Sequence, residues 1–458
     1  MNIYNLNNGA KIHFIGIGGV SMSSLAIILK KNGYLVSGSD VKRTNLTDKL
    51  ESNDIRIYYT QKSSNIQSPD LVVYTAAISH DNEEYIAAIN SGAKVVERCE
   101  LLGELMKKYK DVCCITGTHG KTTTSSMVSL IMIDANLDPT ALIGAEVKEL
   151  NGNYRIGKND VMVAEACEYV ESFLKFFPTK AVILNVDEDH LDYYKNIDHI
   201  ISAFRKFANL IDENGTIVVN ADDSNSLKAL NETKANIIKY GMSKNNTYYP
   251  ENIVYNEKGC ASYDLMSCGK KLTEIVLNVP GKHNVSNSLA AAAIALDQGC
   301  SYASIASGLS KFYGAERRFE YKGKFEESII IDDYAHHPTE IKATLDTAEN
   351  ISHKSIIAIF QPHTYTRTKA LLNDFSNAFY KADKVIITDI YAAREKDDGT
   401  IHANDLVNAL KINGVDAEYI PDFDDICQYI KKNSAPGNIF ITIGAGDIYK
   451  ISNQIANS

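Results

Sequence analysis

Short runs of β-branched and aliphatic residues recur along nearly the whole chain, and each ends in small or polar residues before a stretch of helical spacing begins. This alternation predicts parallel sheets covered by helices, because parallel neighbours need a crossover between them and a helix usually supplies it. The runs fall into three blocks. The first holds "KIHFIGIGG", "YLVSGSD" and "DLVVYTAA". The second holds "DVCCITGTHG", "VMVAEACE", "KAVILNVDEDH" and "TIVVNADD". The third holds "ESIIIDDYAHH", "SIIAIFQPH", "KVIITDI" and "NIFITIGAG". A chain of 458 residues exceeds a single core. Domains are therefore expected over 1–107, 108–317 and 318–458, all of the α/β class. In open α/β sheets ligands bind beyond the carboxyl ends of the strands, so the polar tails of these runs are where chemistry is expected.

Composition narrows the function classes. The chain is 45% hydrophobic and 23% charged, as in globular domains, and its net charge of −10 argues against a nucleic-acid partner. A local cluster of donors can still bind a small anion on an acidic protein. No run reaches the ~18–20 apolar residues of a membrane span, and the N-terminus lacks the pattern of a signal peptide. The eight cysteines form no CxxC pair, and Cys113 and Cys114 are adjacent. They read as reduced thiols of a cytoplasmic protein.

Three places carry candidate chemistry. "GTHGKTTT" (Gly117, Thr118, His119, Gly120, Lys121, Thr122, Thr123, Thr124) follows a strand pattern and precedes a helical one. It departs from the usual P-loop, because Ile115 stands where a glycine is expected five residues before the Gly-Lys pair. An ordinary βα turn is the bland alternative, but the flanking strand and helix favour phosphate binding. Glycines aim backbone N–H groups inward, the helix N-terminus attracts an anion, Lys121 reaches a phosphate and the Thr122 hydroxyl ligates Mg²⁺. Glu165 and His190 close successive strands of the same block, where a carboxylate and a neutral imidazole could complete a metal site. In the first block, Gly16–Ser21 with Asp40 after the next strand is the dinucleotide fingerprint without its last glycine. Read alone, that segment suggests a nicotinamide-dependent oxidoreductase; a sugar nucleotide's diphosphate can use the same helix end.

Taken together these segments resemble the ATP-dependent Mur ligases of bacterial cell-wall synthesis, over nearly the whole chain and in the family's motif order. The resemblance implies an α/β three-domain Mur ligase architecture: a Rossmann-like UDP-binding domain, a central P-loop-type ATPase domain and a C-terminal Rossmann-like domain. "FIGIGGVSMSSLA" resembles the UDP-binding loop, implying substrate contacts at Gly18, Gly19, Val20, Ser21, Met22 and Asp40. "VAEACEYVESF" and "NVDEDHLDYY" resemble the stretches that hold the metal, through Glu165 and His190. "PGKHNVSNSLAAAA" is similar to the adenine-contacting motif, with His283, Asn284 and Asn287. "AERRFE" is similar to the hinge segment, with Arg318 on ATP and, beside Lys121 and His190, a catalytic role. "IDDYAHHPTE" and "FQPHTYTRT" resemble the alanine-adding branch. They imply Asp333 on the nucleotide and Tyr334, His336, His363 and Arg367 at the amino-acid and muramoyl end. ATP as co-substrate, Mg²⁺, UDP-N-acetylmuramate and L-alanine follow from the resemblance, with no nucleic acid, no membrane, and a monomer or homodimer in the cytoplasm.

Three positions depart from the family pattern. Ser21 replaces a third glycine, and Thr364 stands where many members have an arginine. Phe207, beside Arg205 and Lys206, occupies the place of a modified lysine, so no carbamylated lysine is expected. Closure of the third domain over the other two is expected to bring Asp333 and Arg367 to the site. Rival readings are a family member using another amino acid or a folate-like substrate, a nucleotide-holding scaffold, and the dehydrogenase.

Overall fold

The computed structural model describes residues 6–7, 9–190, 193–393 and 395–458. Part of the "NVDEDHLDYY" segment, Leu191 and Asp192, lies outside the described residues, as does Arg394.

Each of the three blocks builds its own sheet. In the first, five parallel strands run in the spatial order Arg56–Tyr58, Leu35–Ser39, Lys11–Ile15, Leu71–Tyr74 and Lys94–Glu97. The order reverses beside the first strand, and there the Gly16–Gly19 turn leads into helix Val20–Lys31. The central sheet has seven strands: Asn236–Tyr240, Thr216–Asn220, Lys180–Ile183, Asp111–Thr116, Val161–Glu165, Thr140–Val147 and Gly152–Arg155. Only the last pairing of this sheet is antiparallel. The strand that carries the "GTHGKTTT" loop lies mid-sheet, between the strands that end at Glu165 and Ile183. The third sheet pairs Glu320–Phe325 antiparallel with Ser328–Asp333 and continues in parallel through Asn438–Ile443, Ser355–Phe360, Lys384–Ile387 and Ala417–Tyr419.

A fourth sheet was not expected from the sequence. Tyr249–Tyr255, Cys260–Ser267 and Lys270–Pro280 form an antiparallel meander. Its hairpins turn at Gly259 and Gly269, both at positive φ. Its inner face, with Tyr263, Leu265, Ile275 and Leu277, packs on helix Lys282–Asp297 and the central core.

One apolar cluster spans the first and central domains. Leu101, Leu105 and Met106 of helix Arg98–Met106 share it with Phe173, Phe176, Phe204 and Phe207. The Phe207 ring stacks on Phe173 at 4.7 Å. Lys206 turns outward to Glu171 at 2.8 Å, and Arg205 donates to the Lys228 carbonyl. The third domain keeps separate cores on the two faces of its sheet.

Candidate functional site

The phosphate loop is shaped by what a side chain would displace. Gly120 caps helix Lys121–Asp134 in the left-handed conformation, φ 85°, and a Cβ there would stand 2.7 Å from Asn287 Oδ1. At Gly117, φ 140°, a Cβ would stand 2.9 Å from Leu184 Cβ. Asn185 clamps the loop from the next strand end: its Oδ1 accepts the His119 N–H at 2.8 Å and its Nδ2 donates to the His119 carbonyl at 3.1 Å. Lys121 Nζ donates to the Thr118 carbonyl at 3.0 Å and to Glu168 at 3.0 Å. Burial would lower the lysine's pKa, but the Glu168 carboxylate holds it above the ordinary value.

The proposed metal ligands surround this loop. Thr122 is buried in the first helical turn. Glu165 ends its strand, and its Oε1 accepts from the Gly144 N–H at 2.6 Å and the Ser125 hydroxyl at 3.2 Å. A Cβ at Gly144 would stand 2.6 Å from Glu165 Oε2, so the carboxylate occupies room that only glycine leaves. His190 is left-handed, φ 54°, with Nε2 3.8 Å from Glu168 and its ring 4.6 Å from Tyr169. The hydroxyl and carboxylate are oxygen donors of the kind Mg²⁺ takes, and the imidazole would join them as a further ligand.

Eight of the twelve residues expected to hold the nucleotide line a cavity of about 460 Å³, whereas Gly117, Thr118, Lys121 and Thr122 are not in its wall. His119, Gly120, Thr123, His283, Asn284, Asn287, Arg318 and Asp333 all line it, from segments far apart in sequence. Asn284 Nδ2 donates to the Pro280 carbonyl at 2.7 Å, and Asn287 Nδ2 donates to Asn284 Oδ1 at 3.0 Å. Asp333 accepts the N–H groups of Phe319 and Ala335, and burial pushes its carboxyl up to about 6. The two adjacent arginines differ in use. Arg317 is consumed by Asp332 and the carbonyls of Gly444 and Gly446, whereas the Arg318 guanidinium lies against the Tyr334 ring and faces the cavity.

A second cavity of about 370 Å³ joins His190 to Tyr334, His336, His363 and Arg367. Asp189 and Tyr169 share its wall, as does Thr364 at φ 68°, just before helix Tyr365–Ala370. Arg367 reaches across from the third domain to Asp189 at 2.8 Å and contacts His363 at 3.3 Å. Burial lowers His336 to about 4.

Contacts from the third domain fall mainly on one central segment, Asn185 to His190. Thr339 donates to Asp187 at 2.9 Å, His337 Nε2 meets the Glu188 carbonyl at 2.8 Å, and Arg367 takes Asp189. His119 lies between Asp187 at 3.4 Å and Glu340 at 3.1 Å; despite burial, these carboxylates raise it to about 9. Among the described residues, His119, Asp187 and His337 stand close enough to share an ion, with ligand atoms within 4.8 Å. With its two ring nitrogens on two carboxylates, His119 makes this cluster an ion-pair network across the domains.

In the first domain, Asp40 accepts the Gly18 N–H at 2.9 Å and the Val41 N–H at 2.8 Å, holding the glycine turn in place. Val20, Ser21 and Met22 form the first helical turn, whose N–H groups have no partner within the helix. The Met22 side chain itself is buried in the core, so its backbone is what it can offer a ligand. Ser21 Oγ accepts from Arg98 at 3.0 Å, which places a cation beside the turn. Sequence reasoning passed over Arg98, Glu168, Asn185, Asp187, Asp189 and Glu340. The acidic run "DED" was the one visible signal among them.

Fold and site together define a three-domain α/β enzyme with a cavity between its central and third domains. Family models match in order: the Mur ligase family catalytic domain over 11–110, the Mur ligase middle domain over 115–295 and the Mur ligase glutamate ligase domain over 317–446. A UDP-N-acetylmuramate–L-alanine ligase of Acetivibrio thermocellus is 52% identical, covering 98% of this chain and 96% of its own. One of the same name from Caldanaerobacter subterraneus is 49% identical, covering 97% and 96%. The crystal structure of a UDP-N-acetylmuramate–alanine ligase from Thermotoga maritima superposes with a TM-score of 0.83 at 31% identity, over 98% of both chains. The chain belongs to the Mur ligase family.

Proposed function

We propose that this protein joins L-alanine to the lactyl carboxylate of UDP-N-acetylmuramate, using ATP and forming an acyl phosphate on the way. The observation that carries this reading is the arrangement of two cavities, one for a nucleotide and one for the acceptor, both walled by the segment Asn185–His190. Relatives that bear this activity by name, aligned over almost the full chain, support it.

A carboxylate is a poor electrophile. Its oxygen attacks the γ-phosphorus of ATP, ADP leaves, and the acyl phosphate then accepts the alanine amine. The tetrahedral intermediate collapses by expelling phosphate, and the amine gives up its proton. Two anions must meet in the first step, so the chain has to supply positive charge. Lys121 and the N-terminus of helix Lys121–Asp134 face the transferring phosphoryl group, and Arg318 faces the nucleotide from the hinge. Thr122, Glu165 and His190 would hold Mg²⁺, which when bound offsets phosphate charge. His336, His363 and Arg367 orient the acceptor end, and the third domain excludes water over it. Aligning three substrates in this way is worth ~7–11 kcal/mol of the barrier. No helix among the described residues is long and apolar enough to cross a membrane. A reaction that draws on ATP and a sugar nucleotide belongs in the cytoplasm.

Phosphate release from ATP with Mg²⁺ and UDP-N-acetylmuramate, run with each common amino acid, tests this. Release that needs both partners, is strongest with L-alanine and disappears in Lys121→Ala is the expected result. Tight sugar-nucleotide binding without release for any amino acid would overturn it.

A further inference from the structure

Glu340 is a carboxylate on the wall of a cavity built for a polyphosphate, where a negative charge repels the ligand. It stands in the first turn of helix Pro338–Glu349, and its side chain is only 16% exposed. Helix N-termini commonly carry an acidic residue, and this alone would make Glu340 ordinary. Its two oxygens have more specific partners. Oε1 is 3.1 Å from Nδ1 of His119, in the phosphate loop of another domain. Oε2 accepts the His336 backbone N–H at 3.0 Å and lies 3.4 Å from Nδ1 of His336, whose residue lines the second cavity. The far nitrogen of His119 faces Asp187 at 3.4 Å, and the His336 ring approaches His363 with centroids 5.9 Å apart. A continuous line therefore runs Asp187, His119, Glu340, His336, His363, from the loop that holds the phosphates to the pocket that holds the acceptor. Burial works against an ionised Glu340, yet the hydrogen bond and charge of His119 hold it well below the usual carboxylate range.

We propose that Glu340 is a positioning residue that sets the phosphate loop and the acceptor pocket together: one oxygen orients His119, the other holds the His336 backbone and lies beside its ring, and the His119 contact forms when the third domain docks. This deepens the ligase reading and rests on it. The His119 imidazolium offsets the carboxylate's charge on the nucleotide side, so the carboxylate can stand beside a triphosphate. Glu340 itself touches neither reacting atom. Its effect is to keep the phosphoryl donor and the acceptor in register, and that shows in turnover more than in ground-state binding.

The full chain with Glu340→Gln, Glu340→Ala, His119→Gln and the Glu340→Gln/His119→Gln double variant tests the proposal. Glutamine keeps an oxygen to accept the His336 N–H, so a mere helix-capping role predicts near-normal turnover for Glu340→Gln and a defect only in Glu340→Ala. The expected result is a kcat on the order of tenfold lower in Glu340→Gln, with the KM for L-alanine nearly unchanged. The double variant should be no slower than the slower single one, because the pair acts as a unit. Calorimetric binding of a non-hydrolysable ATP analogue with Mg²⁺ supplies a readout that needs no ligation. There the two single losses should again fail to add. Wild-type kcat in Glu340→Gln, or effects of the two sites that multiply in both assays, would overturn the proposal. A wild-type chain that ligates nothing would remove the ligase reading, and the binding cycle would still show whether His119 and Glu340 are coupled.

Discussion

Lys121 and Glu168 form a buried ion pair in which the lysine is proposed for chemistry and the glutamate for holding it. The glutamate side chain is 3% exposed and the lysine 16%. Lys121→Met is expected to abolish turnover and also to cost about 3–5 kcal/mol of stability, since it strands a buried carboxylate. Lys121→Met with Glu168→Gln should recover most of that stability in denaturant melts while staying inactive. A double variant as unstable as the single one would show that Glu168 is not held by the lysine. Two histidines on either side of Glu340 titrate in opposite directions. His336 falls to about 4. Its stabilising contribution is complete above the unfolded pKa of about 6.5 and is lost as pH falls toward 4. His119 rises to about 9, so its contribution is complete below about 6.5 and is lost as pH rises through 9. His336→Gln should therefore flatten the acid limb of a stability–pH profile, and His119→Gln the alkaline limb, each by roughly 1–3 kcal/mol. Equilibrium unfolding at half-unit pH steps checks both. At this scale the sequence exposed residues with recognisable motif positions, such as Lys121 and His190. Glu168 and Glu340 stayed hidden, because an acidic residue near a strand or helix end looks like any solvated one until its partner is known.

Elements convert these residues into a site. The phosphate loop and its helix were legible because a β-branched run, two glycines and a helical repeat follow one another within a short span. The clamp by Asn185 was not, since it comes from the next strand over and depends on sheet order rather than on chain order. Gly120→Ala tests how tightly the loop is set. An alanine at φ 85°, with its Cβ 2.7 Å from Asn287 Oδ1, is expected to lower stability by about 1–3 kcal/mol. It should weaken binding of ADP more than binding of the UDP-sugar, because Asn287 lines the nucleotide cavity. Titration calorimetry with the two ligands reads that difference. The antiparallel meander was missed for another reason. Its last two strands alternate buried with more open positions and all three pair antiparallel through tight turns, a pattern outside the repeated βα units expected of this chain.

The whole molecule shows how the third domain meets the central one. Asp189–Arg367, Asp187–Thr339 and the Glu188 carbonyl with His337 all join it to one short central segment. Sequence reasoning had reserved the approach of Arg367 for a closing movement, and the structure shows that approach made, with Arg367 on Asp189 at 2.8 Å. Asp189→Asn combined with Arg367→Ala should loosen this docking. X-ray scattering should then give a larger radius of gyration than the wild type, and the difference should shrink with ATP analogue and UDP-sugar bound. An unchanged radius would mean that other contacts hold the domain. Sequence alone determined the strand and helix units, the glycine turns and the type of chemistry, because hydrophobic periodicity and backbone permissiveness are local properties of the chain. Tertiary structure decided which carboxylate faces which cation. It also decided which arginine of the adjacent pair is tied to Asp332 and which lines the cavity, and which strand ends share a cavity. Those outcomes depend on sheet order and domain packing, which bring together residues such as His119 and Glu340 from distant parts of the chain, and burial there makes their pairing count.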